Sequence, residues 1–272
     1  MFKTPVAQWE KILTKPLKNQ VKFLQKVCNV NRRDELVIRE SFFNNLSFDL
    51  VKRIFILVED VVQADGIDYS FQDIIQDRLL RVTGIAHLYP EDKEAEDNII
   101  EGEGYHVYSA GYHDLDLLIE FLDSHSEIKS ICDLGSGSGR ALLYLALMTS
   151  GDREYMGLEL VDERVDFTNS ISDYFNLKNV SFKASDFLDT PEDFIGYDGY
   201  YLYDPVGTDD VDLLTSYFEK MIKDGAKFYI LFISGWDELM VNALNKLHGL
   251  EMISTVKSHK QEGRVVNFYK VI

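Results

Sequence analysis

Two hydrophobic periods divide the chain. Over residues 1–100, apolar side chains recur every three or four positions, the spacing of one helix face. In 16–28, Leu17, Val21, Leu24 and Cys28 share a face, and Lys15, Lys18, Lys22 and Lys26 line the opposite one. Leu50, Val51, Ile54, Phe55, Val58, Val61 and Val62 keep the same period, and Phe71, Ile74, Ile75, Leu79 and Val82 repeat it. These residues are expected to be helical. From residue 110 the pattern alternates between helices and short apolar runs. Strands are predicted at 130–134 (SICDL), 154–160 (EYMGLEL), 180–184 (VSFKA), 197–205 (YDGYYLYDP) and 227–233 (KFYILFI). Helices are expected around Leu115–Leu122, over 141–148, and on Phe167, Ile171, Tyr174 and Phe175. Two more are expected on Val211, Leu214, Phe218, Met221 and Ile222 and on Leu239, Ala243, Leu244 and Leu247. The chain closes on two strand-like runs, 250–258 and 263–272, joined by a polar turn. Strand–helix alternation predicts an α/β fold with a seven-stranded, mostly parallel sheet covered on both faces, and the terminal hairpin predicts one antiparallel strand.

Between these regions lies PEDKEAEDNIIEGEGYH (90–106), whose charge and breakers (Pro90, Gly102, Gly104) read as a linker. The expected division is a helical region over 1–103 and an α/β domain over 104–272. The formal charge of −18 is unevenly spread: residues 1–33 carry +7, leaving −25 on the remainder. An acidic body repels nucleic-acid phosphate and suits a basic protein or a cationic small molecule, while also keeping a protein soluble. The basic face of 16–28 suits an acidic partner or a membrane surface, or is simply solvated. No apolar run reaches the roughly 20 residues of a transmembrane helix, and the N-terminus lacks the pattern of a secretory signal. Two cysteines, Cys28 and Cys132, are too few for a disulfide framework, and the six histidines form no ligand pair. A cytoplasmic protein is expected.

The chemistry concentrates in Asp133-Leu-Gly135-Ser-Gly137-Ser-Gly139, a glycine-rich turn between a predicted strand and helix. Such a turn lets backbone N–H groups approach a ligand. Its G-x-G-x-G spacing departs from the G-x-G-x-x-G of dinucleotide sites. Asp133, two residues before the first glycine, suits a ligand carrying an ammonium and a sulfonium and does not suit a pyrophosphate.

D-L-G-S-G-S-G resembles motif I of the class I S-adenosylmethionine (SAM) dependent methyltransferases, and further landmarks follow in order. The resemblance covers 104–272 and implies the Rossmann-like fold of that superfamily, with SAM as cofactor. It implies that Asp133, Gly135, Ser136, Gly137 and Gly139 hold the cofactor. Glu159 would take the ribose hydroxyls, with Leu160 beside it. Asp186 would reach the adenine amine, and Phe187 would cover the ring. Arg140 would sit near the methionine carboxylate. Tyr203-Asp204-Pro205-Val206 resembles the [D/N]-P-P-[Y/F] motif of amino-methyltransferases but lacks its second proline and its aromatic. Asp204 and Tyr203 are thereby the candidate catalytic residues, Asp204 orienting a target amine and helping to remove its proton. ICDLGSGSGR with GLEL and SDFL is similar to the non-SET protein-lysine methyltransferases, which implies a lysine amine as acceptor. Tyr105 and Tyr108, in the lead-in to the domain, are further candidates for the acceptor pocket.

Other readings stay open on residues alone. Asp186 suits a loop or helix cap, and Asp204-Pro205 a turn. Asp204, Asp209 and Asp210 offer oxygens for a metal-assisted O-methyltransferase, though without a histidine. A small-molecule N- or O-methyltransferase, or a SAM-binding module without catalysis, fits the same glycine loop.

Overall fold

A computed structural model describes residues 5–30, 36–38, 45–65, 69–83, 109–234, 238–258 and 264–272. The chain forms two compact units, 1–83 and 84–272. The expected boundary near residue 103, the acidic stretch, Tyr105 and Tyr108 lie outside the described residues.

In the first unit, α1 (Pro5–Leu13) ends before Pro16 and α2 (Leu17–Val27) begins after it, as expected of a residue that cannot continue a helix. Trp9 is fully buried and meets Phe23 edge-to-face at 5.0 Å. Val21 and Leu24 are buried as the period predicts, but Leu17 is exposed, as are Lys15, Lys18 and Lys22. The helical expectation fails at β1 (Cys28–Val30) and β2 (Leu36–Ile38), which pair antiparallel. Three-residue strands are too short to show a period of two, so nothing in the pattern separates them from a helix end. Helices α3 (Phe48–Asp65) and α4 (Tyr69–Leu80) follow. The predicted face of α3 is buried at Leu50, Val51, Ile54, Phe55 and Val58. On α4, Ile75 and Leu79 are buried with Gln72 and Gln76, whereas Ile74 faces out.

The second unit is a helix-covered sheet. Along it run α5 (Tyr112–Ser124), β3 (Ser130–Leu134), α6 (Arg140–Met148), β4 (Glu154–Glu159), α7 (Asp162–Phe175) and β5 (Val180–Ala184). There follow β6 (Gly199–Leu202), α8 (Val211–Lys223), β7 (Tyr229–Ser234), α9 (Leu239–Leu244), β8 (Leu250–Lys257) and β9 (Val265–Val271). The strand order is β5-β4-β3-β6-β7-β9-β8. Pairings among β5, β4, β3, β6 and β7 are parallel, and β9 runs antiparallel between β7 and β8. Central strands β6 and β7 are buried at every position, which is why they read as continuous apolar runs. Edge strand β8 is largely exposed and carries an irregularity between Met252 and Ser254, a feature that discourages edge-to-edge pairing.

Two further expectations need correction, one helix face and one strand's extent. On α7, Phe167 and Tyr174 are exposed, and the inward face is Arg164, Val165, Thr168, Ile171, Ser172 and Phe175. A buried arginine on that face is sustained by an acidic partner, Glu159. The strand predicted over 197–205 is confined to Gly199–Leu202, because Asp204 adopts a left-handed φ of 44° that a strand cannot contain. The chain steps outward from β3 through β4 to β5, then returns to β3's other side at β6. The crevice at the carboxyl ends of β3 and β6 is therefore the topological switch point where open α/β sheets bind ligands.

Candidate active site

The glycine loop leaves β3 by three left-handed residues, Gly135 (φ 83°), Gly137 (φ 54°) and Gly139 (φ 70°). Side chains with a Cβ adopt this conformation at a cost, which explains the alternation. At Gly139 there is a second reason: a Cβ would stand 2.8 Å from Phe182 Cζ. Backbone donors of Gly135 and Ser136 both reach Leu158 O, at 2.9 and 2.8 Å, tying the loop to β4.

Glu159 locks the loop from the neighbouring strand end. Its Oε2 accepts the Gly137 N–H at 2.8 Å, and its Oε1 accepts the Val161 N–H and an N–H of Arg164, each at 3.1 Å. Carboxylate and guanidinium are both buried. A carboxylate offers about four lone-pair sites, so these three bonds leave capacity on Oε2. Asp133 is only 3% exposed. Burial, reinforced by the charge of Glu159, pushes its carboxyl well above the usual carboxylate range.

Two cavities meet at Gly135. The larger, a cleft of about 490 Å³, is lined by Glu159, Leu160, Ser185 to Leu188 and Pro205 to Asp210, and falls in the size range of small-molecule sites. The smaller is polar and is lined by Asp133, Ser136, Ser138, Arg140, Tyr201 and Tyr203, among others. Of the expected site residues, Gly135, Glu159, Leu160, Asp186 and Phe187 thus come together on the cleft, and Asp133, Gly135, Ser136, Arg140 and Tyr203 on the smaller cavity. Gly137 and Gly139 border neither and shape the loop instead. Asp186 is exposed, and its Oδ1 accepts the Leu188 N–H at 3.1 Å, a turn bond that leaves it on the cleft wall. Phe187 is 8% exposed and packs edge-to-face on Phe194. Leu160, 43% exposed, is the larger apolar surface offered to a ligand there. Asp204 is exposed and borders neither cavity; it lies between Tyr203 on one and Pro205 on the other. Arg140 donates to Ala110 O at 3.0 Å and lies 5.0 Å from the Tyr112 ring centroid.

Three residues of the site escape a reading of the sequence. Arg164 holds Glu159; its signal was its position five residues on, in the first turn of α7. Asp114, fully buried, accepts from Arg264 at 3.1 Å, and Arg264 donates in turn to the Tyr203 hydroxyl at 2.8 Å. Asp114 and Arg264 stand 150 residues apart and carry no local signal.

Among the described residues no group of three or more His, Cys, Asp or Glu side chains is arranged to hold a metal ion, so Asp204, Asp209 and Asp210 form no such set. No helix among them is long and apolar enough to cross a membrane.

No curated protein matches the chain in sequence. Residues 125–256 match the family described as a methyltransferase domain. Solved structures similar to the chain include a methyltransferase from Geobacter sulfurreducens, at 15% identity and a TM-score of 0.46 over 68% of this chain and 93% of that one. TrmN from Thermus thermophilus is 15% identical, with a TM-score of 0.43 over 57% and 48% of the two chains. Fibrillarin from Aeropyrum pernix, in complex with natively bound SAM, is 16% identical, with a TM-score of 0.40 over 52% and 66%. The matched segment runs from just after α5 into β8 and contains the glycine loop, the described wall of the cleft, and the small cavity's lining apart from Ser109 and Ala110. Over 125–256 the sheet-bearing unit is thus similar to a methyltransferase domain, carried on a seven-stranded, mostly parallel α/β sheet with the glycine loop at its switch point.

Proposed function

We propose that this protein binds SAM across the two cavities and transfers its methyl group to a nitrogen, a protein lysine amine. The observation that carries the cofactor assignment is the pair of buried acids flanking one glycine loop. Asp133 is a buried carboxyl on the small cavity, suited to an ammonium. Glu159 is a carboxylate anchored by Gly137 and Arg164, with spare acceptor capacity on the cleft, suited to vicinal hydroxyls. Ser136 Oγ, buried and without a hydrogen-bond partner among the described residues, adds a polar group that a bound ligand would satisfy. Leu160 supplies apolar surface and Asp186 an acceptor on the cleft, where a purine with an exocyclic amine fits. When bound, SAM supplies an activated methyl on a sulfonium, so the protein need only hold, align and exclude water.

The acceptor reading rests on charge. Glu159, Asp186, Asp209 and Asp210 line the cleft, with no lysine or arginine among its described lining residues. Such a wall draws in a cation and disfavours an acidic substrate. Asp204 holds an uncommon left-handed conformation in the chain between Tyr203 on the small cavity and Pro205 on the cleft, and strained residues gather at functional sites. There it orients the amine and takes its proton. Tyr203, on the small-cavity wall, serves the cofactor end.

The test is incubation of cell extract with the protein and methyl-labelled SAM, followed by mass spectrometry. Label on a lysine side chain supports the reading. Label on an oxygen or a small metabolite moves the acceptor to another class, and absence of any labelled product argues for a binding module.

A further inference from the structure

The smaller cavity is built on a network that the assigned roles leave unexplained. Arg264, 8% exposed, donates through Nη1 to Asp114 and through Nη2 to Tyr203, and its Cζ lies 5.3 Å from the Tyr203 ring centroid. Asp114 is fully buried, and its second oxygen lies 3.2 Å from His113 Nε2. These residues start β9, open α5 and follow β6, so three distant segments converge on one phenol. A buried ion pair is a weak route to stability, since apolar replacements often do as well or better.

Guanidinium is a donor only. Its bond to Tyr203 therefore occupies a lone pair of the phenol oxygen and leaves the phenol's own O–H as the donor. Among the described residues nothing accepts that proton. Burial pushes the Tyr203 phenol up, with Arg264 opposing, so the proton is present at neutral pH. Tyr203 lines the same cavity as Asp133, and a donor and a buried carboxyl on one cavity sort the two charges of an α-amino acid.

We propose that Arg264, anchored by Asp114, is a positioning residue that holds Tyr203 as a hydrogen-bond donor to the carboxylate at the amino-acid end of the cofactor. This inference rests on the SAM reading. Asp133 takes the ammonium and Tyr203 the carboxylate; Arg264 acts through Tyr203.

Calorimetry with two probes tests it: S-adenosylhomocysteine, and 5′-methylthioadenosine, which keeps the nucleoside thioether and lacks the amino-acid end. Tyr203→Phe and Arg264→Met should each weaken S-adenosylhomocysteine about tenfold, the loss of one hydrogen bond to a charged group. Both should leave methylthioadenosine within about twofold of wild type, and the double variant should be no weaker than Tyr203→Phe alone. Arg264→Lys, which keeps the charge and a donor, should recover part of the loss and stands in if Arg264→Met does not fold. Equal losses on both probes, additive losses in the double variant, or no loss on S-adenosylhomocysteine would each overturn the inference. A wild-type protein that binds neither probe overturns the cofactor reading beneath it.

Discussion

Glu159 joins three elements through one carboxylate: the glycine loop by Gly137, its own strand end by Val161, and α7 by Arg164. Glu159→Ala removes the loop's anchor and, on the proposed reading, a ligand contact, so SAM affinity should fall by about 1–3 kcal/mol by calorimetry. Asp133 makes a different prediction, set by protonation. Its carboxyl is raised by burial and then by Glu159, and a ligand ammonium would lower it again. Binding then releases a proton at any pH between the bound and free values, and affinity rises with pH through that window. Calorimetry in two buffers of different ionisation enthalpy should show the released proton, and Asp133→Asn should abolish it. Asp204→Ala should lower kcat by about 10²-fold or more with SAM affinity unchanged, since an orienting residue acts in the transition state. Its left-handed φ of 44° provides a control. Asp204→Gly fits that backbone without strain, so it should lose the same activity while melting no lower than wild type. Wild-type turnover in either variant would make Asp204-Pro205 a turn and nothing more.

At the scale of elements, the helices around the sheet are fixed by a few buried polar anchors. Arg153, 4% exposed, donates to the carbonyls of Leu122 at the end of α5, Ile128 before β3, and Ser150 after α6. It satisfies carbonyls that helix ends leave open. Arg153→Met removes these three hydrogen bonds from a buried guanidinium site, and should cost about 2–4 kcal/mol in urea denaturation. Gly139→Ala combines a left-handed φ with a 2.8 Å approach to Phe182 and should cost about 2 kcal/mol or more by the same measurement. These elements were largely legible in the sequence. Strands 130–134 and 180–184 stand where the pattern predicts: the first is a central strand buried at all but its first position, and the second is an edge strand that alternates, burying Val180 and Phe182. The outward turn of Phe167 and Tyr174 was not legible, since a helix with aromatics on one face and Arg164 on the other offers the wrong face to a reader of hydrophobicity alone.

Over the whole molecule, every described residue lining the two cavities lies in the unit 84–272. That unit, expressed alone, should bind S-adenosylhomocysteine within about threefold of the full chain, by calorimetry. A truncation ending at residue 33 should instead destabilise the first unit, because it removes fully buried Trp9 together with Val21 and Leu24. Local sequence by itself determined the alternation of strands and helices, the glycine loop and the acid at the end of β4. Each rests on contacts within a few residues: a period of two or 3.6, a left-handed turn, a strand end. Only the tertiary structure decided that β9 enters between β7 and β8, that Phe187 turns into the core, and that Asp114 and Arg264 meet at Tyr203. Those contacts join residues far apart along the chain, which become neighbours once the sheet has formed.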